Sequence, residues 1–112
     1  MGAWGTAAWD NDKAADWYAE VFGVTGLAER VEAALARDPA RYPEVVRAAA
    51  HVLIQLGRGY VWPVRDLQPH LALAVKQLEV VRGLKEYQQA AGFVEAIDAQ
   101  LAELRSRIRP PK

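Results

Sequence analysis

Residues 43–57 of the chain read PEVVRAAAHVLIQLG, and this stretch predicts a helix with one apolar face. Pro43 suits a first helical turn, where its missing N–H removes no hydrogen bond, and Gly57 is a natural helix terminator. Between them, apolar residues recur every three or four positions, whereas arginine, histidine and glutamine occupy the opposite stripe. The residues expected to face inward are Val45, Ala49, Val52, Leu53 and Leu56.

The same periodicity extends outward in both directions from this helix. It predicts helices over about residues 11–22 and 25–38, and a further helix from Asp66 to Gly83 with Pro69 in its first turn. Residues 84–108 carry a heptad pattern, in which Gly92 either divides two helices or is tolerated within one at about 1 kcal/mol. We therefore expect an all-α fold with four to five helices in a compact orthogonal or bundle-like domain. Residues 1–10 lack a helical period and are expected to form an extended N-terminal arm, packed on the helices by tryptophans.

Length and composition limit the classes of protein to consider. The chain has 112 residues, no cysteine and zero formal net charge, so we expect one domain over residues 1–112 without disulfides or thiolate metal sites. A nucleic-acid partner is disfavoured, because such domains are usually basic. The apolar runs are broken well before the roughly 18 residues of a membrane span, and acidic residues from Asp10 onward argue against a secretory signal. We expect a cytoplasmic protein without a membrane partner.

An acidic cluster opens the first helix: Asp10, Asn11, Asp12 and, one turn later, Asp16. Short side-chain oxygens accept hydrogen bonds from free N–H groups at a helix start, and acids there interact favourably with the helix dipole. Helix capping is therefore the favoured interpretation. The alternative is a divalent-cation site or a carboxylate pair for acid–base chemistry, although no histidine or EF-hand spacing accompanies the cluster.

Aromatic residues concentrate in two places. Trp4, Trp9 and Trp17 lie in the first 22 residues, where we expect large rings to pin the arm to the helices, with a binding surface as the alternative. Tyr60 and Trp62 lie in a glycine-rich connector, which we expect to be more exposed and equally suited to packing or to binding.

Groups suited to catalysis are sparse. His51 and His70 are separated in the sequence and are expected to face water, so a zinc site is disfavoured. The single serine, Ser106, lies between two arginines with no base placed to activate it. We predict no catalytic residues, no metal and no cofactor.

The C-terminal residues 105–112 form a basic tail, whereas the first 44 residues are acidic. This layout favours head-to-tail self-association or an acidic partner. The simpler expectation is that the basic residues complement the C-terminal end of the last helix.

The opening run Met1-Gly-Ala-Trp-Gly-Thr6, followed by Trp9, by Asp10-Asn-Asp12 and by Asp16-Trp17, resembles the start of the bacterial domain-of-unknown-function 4259 family. The resemblance implies a small helical bacterial protein and brings no activity with it. Our leading hypothesis is a non-enzymatic protein-interaction module, either immunity- or antitoxin-like or self-associating. The alternative is a small metal- or ligand-binding enzyme that uses the N-terminal aspartates.

Overall fold

A computed structural model describes residues 5–110 of the chain. Within this range six helices form an all-α fold, as the periodicity predicts. The helices are α1 (Asp12–Thr25), α2 (Leu27–Leu35), α3 (Pro43–Leu56), α4 (Val64–Gly83), α5 (Lys85–Gln89) and α6 (Phe93–Ser106). The predicted number of four to five is too low, because Gly92 adopts a left-handed conformation with φ of 86° and separates α5 from α6.

Caps at both ends determine the length of α1. Asn11 has an extended backbone, and its Oδ1 accepts a hydrogen bond from the Ala14 N–H at 2.8 Å, as predicted for the acidic opening. The helix continues through Gly23 to Thr25, beyond the predicted end near residue 22. It stops at Gly26, where φ is 63° and the N–H donates to the Phe22 carbonyl. This left-handed residue lets the chain turn directly into α2.

The core forms where α3 and α4 meet their neighbours. Helix α3 packs against α2, α4 and α6, while α4 also contacts α2, α5 and α6. Because α3 is covered on three sides, Val46 and Ala50 are fully buried, although neither belongs to the predicted apolar stripe. The largest fully buried side chains are Trp62, Leu35, Leu53, Leu71, Leu78, Ile97, Leu101, Leu104, Val46 and Val81.

Helix α4 starts earlier than predicted. It begins at Val64 rather than being capped by Asp66, which places Pro69 inside the helix. Pro69 therefore cannot donate to the carbonyl of Arg65, one turn before it. No helix in residues 5–110 has the length and apolar character needed to cross a membrane.

Candidate functional site

A cleft of about 610 Å³ separates α1 from the connector of residues 57–63, which joins α3 to α4. We call it the α1 cleft. Its walls are mostly apolar, and α2, α4 and the C-terminal tail each add a charged residue. The lining residues are Ala15, Ala19, Phe22, Gly23, Glu29, Gly59, Tyr60, Val61, Trp62, Pro63, Val64, Asp66 and Arg109.

The α1 wall is built from small residues. Ala15, Ala19 and Gly23 follow at intervals of four, so they lie on one side of the helix. A Cβ added at Gly23 would meet no atom within 4 Å, so the space beside this wall is open. Among the described helices α1 contacts only α2, and Phe22 is its one buried residue in this part of the chain. Within residues 5–110, one side of α1 thus has no partner helix.

The floor of the cleft is buried and aromatic. Trp62 is only 1% exposed, contrary to the exposure expected of the connector, and its ring packs edge-to-face on Phe22 with centroids 5.1 Å apart. Tyr60, in contrast, is 67% exposed and is the only non-glycine residue of the described range with positive φ, at 69°. A residue with a bulky side chain rarely adopts this backbone conformation. The connector therefore buries one ring in the floor and leaves the other at the rim.

A buried hydrogen-bond relay holds Trp62 in place. Its Nε1–H donates to His70 Nδ1 at 3.1 Å, so the proton of the imidazole lies on Nε2, which donates to Glu32 Oε2 at 2.8 Å. His70 is only 3% exposed, and the expectation that it faces water is wrong. The Glu32 carboxylate remains in contact with solvent. The relay joins the connector to α4 and α2, and it has no signal in the sequence beyond a tryptophan and a histidine eight residues apart.

The N-terminal aspartates do not converge. Asp10 Oδ2 accepts a hydrogen bond from the Ala7 N–H at 3.2 Å, and Asn11 caps α1, so both serve local backbone structure. Asp12 and Asp16 are exposed on α1. Residues 5–110 contain no group of three or more metal-ligating side chains that could hold an ion. Capping is thus the role of Asn11, whereas Asp10 supports the turn that precedes the helix.

The N-terminal tryptophans occupy three different settings. Trp9 is partly buried against the core, and the guanidinium of Arg58 lies over its ring at 4.7 Å. Residues 5–10 form bends and turns, so this part of the chain is not the extended segment that the sequence led us to expect. Trp17 is 59% exposed and contacts Tyr18 edge-to-face, so it does not belong to the expected aromatic mini-core. Trp4 lies outside the described residues.

The basic tail does more than complement the end of α6. Helix α6 includes Arg105 and Ser106, and the chain then folds back on α3. Arg107 Nη1 donates to the Ile54 carbonyl at 2.5 Å and reaches the carbonyls of Leu53 and Gly57 at 3.4 Å. The Leu53 carbonyl already accepts from the Gly57 N–H at the end of α3. The Arg107 guanidinium adds a donor for the Ile54 carbonyl, beyond which the helix provides no N–H, and so caps this end of α3. Burial lowers the pKa of Arg107 from its ordinary value.

Gln68 positions the last cleft residue. Its amide donates to the Arg107 carbonyl at 3.1 Å and accepts from the Arg109 N–H at 2.9 Å. This two-point contact directs the tail across the start of α4, where Arg109 joins the cleft lining.

Comparison with known proteins identifies a family without an activity. No curated protein and no solved structure matches the chain. The family model described as "Domain of unknown function (DUF4259)" matches residues 2–107, which confirms the resemblance carried by the opening residues. The chain belongs to this family.

Proposed function

We propose that this chain is a non-enzymatic protein-interaction module that receives a segment of another protein in the α1 cleft. The observation that carries the proposal is the side of α1 without a partner helix, where Ala15, Ala19 and Gly23 face an open and mostly apolar space. Small residues let another backbone approach closely, and the buried Trp62 supplies an apolar floor.

The exposed side chains at the rim support the same function. Tyr60 and Val64 are 67% and 81% exposed and border the cleft, and aromatic residues in such positions commonly anchor a partner. Tyr60 is also held in a disfavoured backbone conformation, which is typical of residues kept for recognition rather than for stability. We propose a bacterial cytoplasmic setting and a single domain over the whole chain, with an immunity- or antitoxin-like role as one form of this activity.

Site-specific photo-crosslinking tests the proposal. A benzophenone amino acid is placed at Ala19 on the cleft wall, and as a control at Ala102, an exposed alanine of α6 far along the chain. Both positions lie in the interior of helices of 14 residues, so the substitutions are matched in helix propensity and exposure. Irradiation in cells of the source organism is expected to yield a discrete adduct with a second protein from position 19 and none from position 102.

Two results contradict this function. The first is an absence of adducts at position 19 while the variant remains folded by circular dichroism. The second is an identical adduct pattern at positions 19 and 102, which indicates random collision with abundant proteins. Identification of the adduct by mass spectrometry distinguishes a different protein from a second copy of this chain.

A further inference from the structure

We propose that the segment received by the α1 cleft is a basic amphipathic helix, with its apolar side in the cleft and its lysines or arginines along the edge. This inference rests on the proposed function and adds the chemical class of the partner. Charge complementarity carries it, since the groups around the cleft are predominantly acidic.

Acidic groups come from three helices. Glu29 of α2 and Asp66 of α4 line the cleft, opposed there by Arg109 alone among the lining residues. On α1, Asp12 and Asp16 are exposed, and helical spacing places them beside the side of the helix that carries Ala15 and Ala19. The lining itself thus holds two carboxylates and one guanidinium, and the two exposed aspartates of α1 add to the acidic excess beside it. A partner with positive charge at its edges is favoured, and an acidic one is repelled.

A second copy of this chain fits less well. Parallel pairing of the cleft sides of two α1 helices brings Asp12 and Asp16 of one copy close to the same residues of the other. Antiparallel pairing places these aspartates opposite the last turn of the other α1, which carries no basic residue to receive them. The basic tail of a second copy is also largely occupied within its own chain. Arg107 is directed into the end of α3, and Arg105 lies 3.5 Å from Glu79. The charge distribution therefore favours a different protein.

The dimensions of the wall suit a helix. From Ala15 to Gly23 the wall extends about 12 Å, or roughly two turns of an approaching helix. Alanine and glycine permit helix axes near the lower end of the usual separation of about 8–10 Å. Apolar side chains of the incoming helix then reach the floor formed by Phe22 and Trp62.

Titration with two designed peptides tests the charge requirement. One is an amphipathic helix of leucine, alanine and lysine, about 18 residues or 27 Å long, and its twin has glutamate at every lysine. The full-length protein is labelled with ¹⁵N and its backbone resonances are followed. The lysine peptide is expected to shift the signals of Ala15, Ala19 and Tyr60, with binding that weakens severalfold as salt is raised. The glutamate twin is expected to leave these signals in place.

Neutralising a single acid shows whether the carboxylates of the cleft attract the lysine peptide. Asp66→Asn is expected to weaken binding of the lysine peptide roughly two- to fivefold, the range for a single exposed ion pair. Glu95→Gln is the matched control, since Glu95 is also an acid in a first helical turn but lies on α6, and it is expected to leave the affinity unchanged.

The inference is overturned if both peptides shift the resonances of the cleft residues equally, or if neither peptide shifts them. It is also overturned if the lysine peptide shifts the resonances of another surface instead. It is also overturned if the two substitutions weaken binding equally. If these results occur while the crosslinker at Ala19 still captures a partner, the basic helix is wrong and the interaction function stands. If position 19 captures nothing, the interaction function itself fails and the inference with it.

Discussion

Replacing Trp62 by phenylalanine is expected to destabilise the protein mainly because the buried Nδ1 of His70 loses its hydrogen-bond donor. The substitution keeps an aromatic ring against Phe22 but removes the N–H that donates to His70 Nδ1. His70 is 3% exposed, so water cannot readily replace the lost partner. A buried acceptor left unpaired costs about 1–3 kcal/mol. The smaller ring also gives up on the order of 50 Å² of buried surface, about 1 kcal/mol.

The companion substitution His70→Leu has the converse effect. It leaves the buried indole N–H of Trp62 unpaired, again at about 1–3 kcal/mol, while Glu32 is exposed enough to recover its hydrogen bond from water. The double variant Trp62→Phe/His70→Leu has neither polar group and should therefore cost less than the sum of the single changes. We expect a coupling energy of about 1–2 kcal/mol between the two sites.

Urea denaturation followed by far-ultraviolet circular dichroism measures these free energies of unfolding for the wild type and the three variants. Unchanged slopes of the transitions would show that all four unfold in the same way, so that the free energies form a thermodynamic cycle. Additivity of the two single changes to within about 0.5 kcal/mol would refute the relay as a buried and energetically coupled pair.

Three further predictions concern other contacts. Gly57→Ala is expected to destabilise by about 1–3 kcal/mol in thermal or chemical unfolding, because the new Cβ collides with the carbonyl oxygen and side chain of Leu53. Arg107→Met should cost about 1–3 kcal/mol in urea denaturation, since it leaves the last carbonyls of α3 without their cap. The hydrogen bond and ion pair with Arg82 lower the pKa of Asp98 below its ordinary value. The stabilising effect of this contact is therefore present above the ordinary pKa of an aspartate and disappears as pH falls through the lowered pKa. Melting temperatures of wild type and Asp98→Asn should therefore differ near neutral pH and converge in acid.

Each of these predictions has a control and a contrary result. A Cβ at Gly83 meets nothing within 4 Å, so Gly83→Ala should be neutral or stabilising, and an equal loss at both glycines contradicts the steric explanation. Arg105 pairs only at the surface, so Arg105→Met should cost less than about 1 kcal/mol, and a loss equal to that of Arg107→Met excludes the capping role. A difference between wild type and Asp98→Asn that persists unchanged at low pH is incompatible with an ionised Asp98 as its source.

The helical class and most helix boundaries follow from local patterns. Asn11 caps α1 because its short amide oxygen reaches the Ala14 N–H, and Pro43 opens α3 where no donor is needed. Such signals act over a few residues and are legible in one sequence. The start of α4 was misplaced because Asp66 is a good capping residue, and the pattern alone did not show that the helix extends one turn further back to Val64.

The candidate site was only partly predictable, because it depends on contacts between residues that are distant in the sequence. The connector with Tyr60 and Trp62 was identified as a place for packing or binding, yet its two rings have opposite exposures. The burial of Trp62 depends above all on its contact with His70, whose own burial was not expected. The open side of α1 was likewise invisible, because periodicity marks an apolar or small-residue face without showing whether another helix covers it.

By itself the sequence determined the helical pattern, the caps, the acidic beginning and basic end, and the opening residues that mark the family. Tertiary structure alone decided that Trp62 and His70 meet Glu32, that Arg107 closes α3 more than 50 residues away, and that a cleft remains beside α1. Local propensity depends on neighbours within a turn or two of helix. Contacts between helix faces depend instead on how the six described helices pack around the core, and this packing involves residues that are distant in the sequence.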